Sequence, residues 1–376
     1  MAASSPAEAT SAFVATSPLR VSFSAAATAL PPVVRDRIRD DLVAGVQRTP
    51  LEQPFTTAQF RETLAGAEDN VRRLLGVPED HAVLFLQGGA TAQFTLLPLN
   101  LGVGPDGGDY IETGYWARKT LTEASRVTRV HVAASSADHA FDRVPDLATW
   151  RVRPEASYLH ITSNETADGV AFADTPPHPP GVPLVADMSS DLLTRPIRVS
   201  DWGVIYASAQ KNIGPAGLTL VLVRRDLLGR AHASVPAPFD YTRQAAAGSR
   251  FNTPATFSIH VAARVLEWLV AQGGLAAMQA ENRIKSRLVY GAIDDSGGFY
   301  RCRTSEAWRS PVNVCFRLDD ETLTSRFLGA AEAEGLFDLA GHSRVGGLRA
   351  SLYNATPLSA ASALASFMRE FQRRHG

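Results

Sequence analysis

Two short apolar runs between residues 183 and 211 end in side chains of opposite charge, and they restrict the possible folds more than any other part of the chain. Pro183-Leu184-Val185-Ala186 leads into Asp187, and Val204-Ile205-Tyr206-Ala207 leads through Ser208-Ala209-Gln210 into Lys211. Apolar runs this short, bounded by turn formers, read as strands buried in a parallel sheet. In an open α/β sheet, ligands sit beyond the carboxyl ends of such strands. On spacing alone, a strand-end Asp is often a helix cap and a Lys in a Gly/Pro loop is usually solvated. The same spacing also suits a pyridoxal-phosphate (PLP) site, where a lysine forms the Schiff base and an acid pairs with the pyridinium nitrogen. After Lys211, Asn212 to Gly217 make a tight turn before the strand Leu218 to Val223.

The chain around this stretch alternates strands and helices from about residue 80 to 225, which predicts a mainly parallel sheet with helices on both faces. Val83 to Leu86 reads as a buried strand, followed by Gln87-Gly88-Gly89-Ala90-Thr91 and a helix through Leu99. A strand, a glycine turn and a helix N-terminus present free backbone N–H groups to an anion. Gly102 to Gly107 formally matches GxGxxG, but Pro105 opposes the helix a dinucleotide site needs, so it reads as a surface turn. Upstream, Pro31-Pro32 opens a helix with Val33, Val34 and Ile38 on one face, and Phe60 to Leu75 forms a second helix. Downstream, Thr256 to Gln272 is amphipathic. From residue 272 a smaller α+β domain is expected: a strand Val312 to Arg317, a helix Asp320 to Gly335, a strand Leu348 to Tyr353 and a last helix from Pro357. The expected division is a flexible Ala/Ser/Thr/Pro-rich arm at 1–20, a joining segment at 21–29, a large domain at 30–271 and a small domain at 272–376.

Bulk properties narrow the function. Lys+Arg 37 against Asp+Glu 38 leaves a net charge of -1, with no electrostatic footprint for nucleic acid or an anionic membrane. No apolar run approaches the roughly 20 residues that span a bilayer. The two cysteines, Cys302 and Cys315, make no disulfide framework, and no Cys/His cluster has zinc spacing. A reducing, cytoplasmic setting is the default expectation.

The segments VADMSSDLLTRPI and GVIYASAQKNIGPAGLTLVLVRRDLLG resemble the signature segments of the phosphoserine aminotransferase family, class-V enzymes of the fold-type-I PLP group. The resemblance runs from about Phe23 to near the end of the chain. It implies an α/β fold-type-I aminotransferase, with PLP held covalently by Lys211 and its ring nitrogen paired with Asp187. Trp116 would stack on the ring and Thr166 would lie near its phenolic oxygen. Ala90, Thr91 and Gln210 would hold the phosphate, together with Asn252 and Thr253 from the partner of a homodimer. Arg349, in GGLRASLYNATP, matches the arginine that grips the substrate carboxylate, for which a planar fork is suited.

The substrate side-chain pocket departs from the family pattern. The family's Ser-His-Arg segment, whose basic pair receives a phosphate or distal carboxylate, aligns with Pro54-Phe55-Thr56. Its Gly-His-Arg becomes Gly341-His342-Ser343, with the arginine displaced to Arg344, and its Ser-Ser-Gly-Pro-Ala becomes Ser24 to Thr28. Only His342 survives among the expected anion receptors. A charged hydrogen bond to a buried anion is worth about 1.5–3 kcal/mol. Losing two arginines then costs roughly two to four orders of magnitude in binding a doubly charged group, unless Arg344 or Arg48 moves in. The expectation is therefore an aminotransferase acting on an amino acid with a neutral or apolar side chain. The alternatives are a phosphoserine:2-oxoglutarate aminotransferase with a rebuilt anion site, a β-elimination or replacement enzyme, and a PLP-binding protein without catalysis.

Overall fold

Alternation along the buried strands decides the layering. The computed structural model describes residues 20–43, 48–102 and 106–376. The arm expected at 1–20, apart from Arg20, and the centre of the Gly102–Gly107 turn lie outside them. In the strand β2 (His81–Gln87), Val83 and Phe85 enter one core while Ala82, Leu84 and Leu86 enter another. The same split recurs in β3 (Gly108–Glu112), β5 (Tyr158–Thr162), β8 (Leu184–Asp187), β9 (Val204–Ser208) and β10 (Leu218–Arg224). With β4 (Val130–Ser135) these strands form one sheet in the order β2-β10-β9-β8-β5-β3-β4. Helices α1 (Pro32–Val43), α2 (Ala58–Leu75) and α6 (Thr256–Ala271) pack on one face. On the other lie α3 (Gly89–Leu101), α4 (Tyr115–Ala124) and α5 (Tyr241–Ala246). Two faces buried at once explain why the strands read as continuous apolar runs.

The sheet is mainly parallel with one reversed strand. β10 runs antiparallel to both β9 and β2, because the tight turn after Lys211 returns the chain beside β9 with no room for a crossover helix. A short hairpin, β6 (Asn164–Glu165) with β7 (Val170–Ala171), follows β5.

The smaller C-terminal domain is built on a four-stranded antiparallel sheet of β11 (Tyr300–Arg301), β12 (Asn313–Leu318), β15 (Gly346–Ser351) and β14 (Ala340–His342). Helices α7 (Gly274–Asp294), α8 (Thr324–Ala333) and α9 (Leu358–His375) cover it, with Phe327, Leu364, Met368 and Phe371 buried among them. The N-terminal strand β1 (Val21–Ser22) pairs in parallel with β13 (Leu336–Phe337), and Phe23 is buried in this second core.

Several expectations need adjusting. Val33 is 60% exposed, while Val34 and Ile38 turn inward, because two adjacent residues cannot both face one side of a helix. The segment expected as one helix from Asp320 begins as a tighter turn at Glu321–Leu323, capped by the Asp320 carboxylate, and becomes α-helical only at Thr324. Among the described residues, no single helix is long and apolar enough to cross a membrane. No group of three or more candidate metal ligands occurs among them either.

Candidate active site

The carboxyl ends of β8 and β9 and the turns that follow them enclose a cavity of about 310 Å3. Asp187 closes β8 and Lys211 sits in the turn after β9, and both are buried. The Lys211 Nζ donates to Thr166 Oγ1 at 3.0 Å and lies 5.7 Å from the centre of the Trp116 ring. Burial pushes its amine down to about 8, against the pull of Asp187. Asp187 is itself pushed up by burial, opposed by hydrogen bonds from Ser189 and by Lys211. Its Oδ1 accepts the Ser189 N–H at 2.9 Å.

The glycine loop borders the same cavity. Gly88 and Gly89 have φ of 104° and 67°, a conformation that favours glycine. A Cβ on Gly88 would come within 2.6 Å of the Ala92 Cβ. This turn swings the N-terminus of α3 toward the cavity, where Ala90 N–H donates to Ser208 Oγ at 2.6 Å. Ala90, Thr91 and Gln210 are on the wall. Sequence reasoning passed over Ser208, which is the hydroxyl that ties β9 to this helix start.

Trp116 is held from beneath by a pair of buried acids that the sequence did not single out. Glu165 is fully buried and accepts the N–H groups of Trp116 and Ala117, each at 2.9 Å, with the Thr113 hydroxyl at 3.3 Å. Asp168 accepts the Tyr115 N–H at 2.9 Å and the Arg303 guanidinium at 3.0 Å. Gly114, which precedes the helix, has no side chain with which to cap it, so the two carboxylates cap α4 from 50 residues away in sequence. Burial and the facing Asp168 push Glu165 above the ordinary carboxylate range.

Arg349 reaches the cavity from β15 of the small domain and donates to the Thr166 carbonyl at 3.1 Å. His342 is on the wall beside it, its ring 4.2 Å from that of Tyr115. Arg344 is not on this wall. It lines an adjoining cavity of about 540 Å3 with Arg118, Lys119 and Arg303. The backbone joins the two, since the Arg344 N–H donates to His342 Nδ1 at 3.2 Å. Lys119 bridges them from α4, its ammonium 5.1 Å from the centre of the Trp116 ring.

Besides Arg344, four expected residues stand apart from the cavity in the single chain. Phe55 packs on the core of the large domain, and Thr56 is exposed. Asn252 accepts from Gln244 Nε2 at 2.8 Å, and the Thr253 carbonyl accepts from Gln87 Nε2 at 2.9 Å. Both are exposed.

PLP fits this arrangement. A desolvated lysine, a buried acid with a free oxygen, a helix N-terminus and an indole converge on one cavity. Two buried polar atoms from its wall residues, Trp116 Nε1 and Thr162 Oγ1, have no partner within the protein.

Residues 20–364 match the family described as aminotransferase class V. Phosphoserine aminotransferase of Azotobacter vinelandii is 48% identical over 358 residues, covering 94% of this chain and 98% of that protein. The enzyme of the same name from Chromobacterium violaceum is 45% identical over 356 residues, with 94% and 98% coverage. Among solved structures, phosphoserine aminotransferase from Bacillus circulans subsp. alkalophilus superposes with a TM-score of 0.90 at 41% identity, covering 93% of this chain and 97% of that one. The PLP-bound phosphoserine aminotransferase of Trichomonas vaginalis gives 0.86 at 34% identity, with 91% and 97% coverage.

Proposed function

The chain belongs to the class-V aminotransferases and, within them, to the phosphoserine aminotransferase family, and from that premise we propose that it exchanges the amino groups of O-phospho-L-serine and glutamate with their 2-oxo acids. The neutral-substrate expectation drawn from Phe55, Thr56 and Ser343 gives way to this reading. The observation that carries it is the cationic cavity beside His342. Arg344 and Lys119 gather there with Arg118 and Arg303. Arg303 is paired with Asp168 on the same wall and Arg118 with Glu112, so Arg344 and Lys119 stand in for the arginines that the motifs lack. The anion receptor is thus rebuilt from neighbouring positions, with His342 as its inner edge.

Bound PLP supplies an electron-accepting ring that makes the substrate Cα–H acidic. The protein residues arrange that chemistry. Arg349 grips the α-carboxylate by paired N–H bonds. Lys211, its amine brought by burial toward neutral pH, is placed to take the proton from Cα and return it. Asp187 would pair with the ring nitrogen of the bound cofactor and hold a proton on it. Trp116 would pack on the cofactor ring, and the Gly88–Thr91 turn with Gln210 would hold its phosphate. Asn252 and Thr253, exposed and outside their own cavity, reach the site of a second copy, so the active form is a homodimer. A cytoplasmic setting goes with this reading.

Absorbance of the yellow holoprotein tests the substrate. Conversion to the pyridoxamine form by L-glutamate and by O-phospho-L-serine is the expected result. Silence with both and a response to a neutral amino acid would restore the reading from Phe55 and Thr56. A Lys211→Ala protein with full activity would remove the catalytic assignment.

A further inference from the structure

A second cavity, of about 200 Å3, opens between the two domains behind the first. Asn164 lines both cavities. Asp191 and Arg195 join it from the large domain, and Asn282 and Arg283 face them from α7. Asn164 and Asn282 are 2% and 3% exposed, and the carboxamide oxygen of each has no donor.

Their amide orientations are fixed by their other bonds. Asn164 Nδ2 donates to Ser190 Oγ and Asn313 Oδ1, both at 2.7 Å. Asn282 Nδ2 donates to the Thr194 carbonyl at 3.2 Å and to Asn354 Oδ1 at 2.9 Å. The oxygens are therefore the groups left over. Buried acceptors without donors are costly, and a native interior keeps few of them. Asp191, 7% exposed, adds a carboxylate to the wall; its Oδ1 accepts the Ser163 hydroxyl at 2.5 Å, and Arg195 lies 4.0 Å from its other oxygen. At the exposed rim, Arg283 has no ion-pair partner among the described residues. The remaining wall is mixed: Ala171, Phe172 and Val312 are apolar, while Gln279 and Arg309, the latter paired with Asp294 at 2.6 Å, are polar.

Two orphan acceptors ask for a group with several donors, such as an ammonium, and the guanidinium of Arg283 asks for a carboxylate. We propose that this cavity binds a small zwitterion, an α-amino acid with a short side chain, at a site separate from the catalytic one. Its ammonium group donates to Asn164 and Asn282, and its carboxylate meets Arg283. Such a ligand touches both domains and rests on Asn164, directly before the Glu165 and Thr166 that hold Trp116 and Lys211. Occupancy of this site thereby bears on the catalytic cavity.

The test uses α-aminoisobutyrate, which has no Cα–H and cannot be turned over. It is dialysed as a radiolabelled probe against PLP-loaded Arg349→Ala protein, in which the catalytic cavity has lost its carboxylate grip. One molecule retained per chain is expected. Adding Arg283→Ala, an exposed position that leaves the fold alone, weakens retention at least tenfold. Asn282→Leu, which fills the cavity, has the same effect. Isobutyrate, lacking the ammonium group, binds at least tenfold more weakly. No uptake by the Arg349→Ala protein up to about 1 mM, the upper range of ordinary metabolite affinities, would overturn the proposal. So would uptake indifferent to Arg283→Ala.

Discussion

Replacing Glu165 tests whether the acid clamp positions Trp116 or merely fills space. In Glu165→Ala, two backbone donors at the start of α4 lose acceptors 2.9 Å away inside a fully buried site. An unsatisfied buried donor costs about 1–3 kcal/mol, so the loss should total about 2–6 kcal/mol. Glu165→Gln keeps the shape and one accepting oxygen but turns an NH2 toward a backbone N–H. It should cost about 1–3 kcal/mol. Urea unfolding of the cofactor-free protein measures this term, and a PLP titration measures what it does to the site. The Gln variant should bind PLP roughly tenfold more weakly, equivalent to about 1.4 kcal/mol, because the indole loses its fixed footing. The pH dependence supplies a signature that packing alone lacks. Glu165 is held above the ordinary carboxylate range in the fold, so between those two values the folded chain binds a proton that the unfolded chain has released. Wild-type stability attributable to this group falls as pH rises through that window, and glutamine has no such dependence. The gap between wild type and Glu165→Gln should narrow as pH rises. A Gln variant with unchanged PLP affinity and a pH-independent gap would refute the positioning role.

Two further perturbations follow from the geometry. Arg344→Ala should lower kcat/KM for O-phospho-L-serine about tenfold, the low end for a charged hydrogen bond because Arg344 is exposed. It should leave any residual turnover of L-alanine unchanged, and equal losses for both substrates would remove Arg344 from the anion receptor. Lys285 is fully buried, donates to the Tyr353 and Thr356 carbonyls at 2.9 Å each, and is pushed by burial from 10.5 down to about 8. Lys285→Met removes that penalty, about 3 kcal/mol at neutral pH, but strands two carbonyls at about 1–3 kcal/mol each, so chemical denaturation at pH 7 should find a small net change. The unfolded chain keeps the lysine proton to higher pH, so wild-type stability should climb between about 8 and 10.5 while the Met variant stays flat.

The parts of the site carried by local patterns were legible before any coordinates. Asp187 and Lys211 close apolar runs, and Gly88-Gly89 stands between a strand and a helix. Each signal lies within a dozen residues of the part of the cavity wall it positions. Glu165 and Asp168 gave no such signal, because their partners are the backbone N–H groups of residues 115–117 and nothing in SNETADG names them. The cationic cavity was hidden for a related reason. Motif alignment registers the loss of an arginine at one position, whereas Arg344, Lys119 and Arg303 come together only when the turn after β14, helix α4 and the small-domain loop meet. The reversed direction of β10 followed from the brevity of the turn at 212–217, which strand periodicity alone does not report.

The pairing of β1 with β13 sets a clock on assembly. Val21 leaves the ribosome well ahead of its partner Leu336, which is 315 positions later. At about 5–20 residues per second this strand waits roughly 15–60 s for its neighbour. Until then Ala25 and Ala26, which line the cavity, lack their small-domain ties, the Tyr353 hydroxyl on the Ala25 carbonyl and the Ser351 N–H on the Phe23 carbonyl. The seven-stranded sheet is complete by Arg224, whereas the cavity is not enclosed until β15 has supplied Arg349. A nascent chain should therefore present a folded large domain well before it can retain PLP.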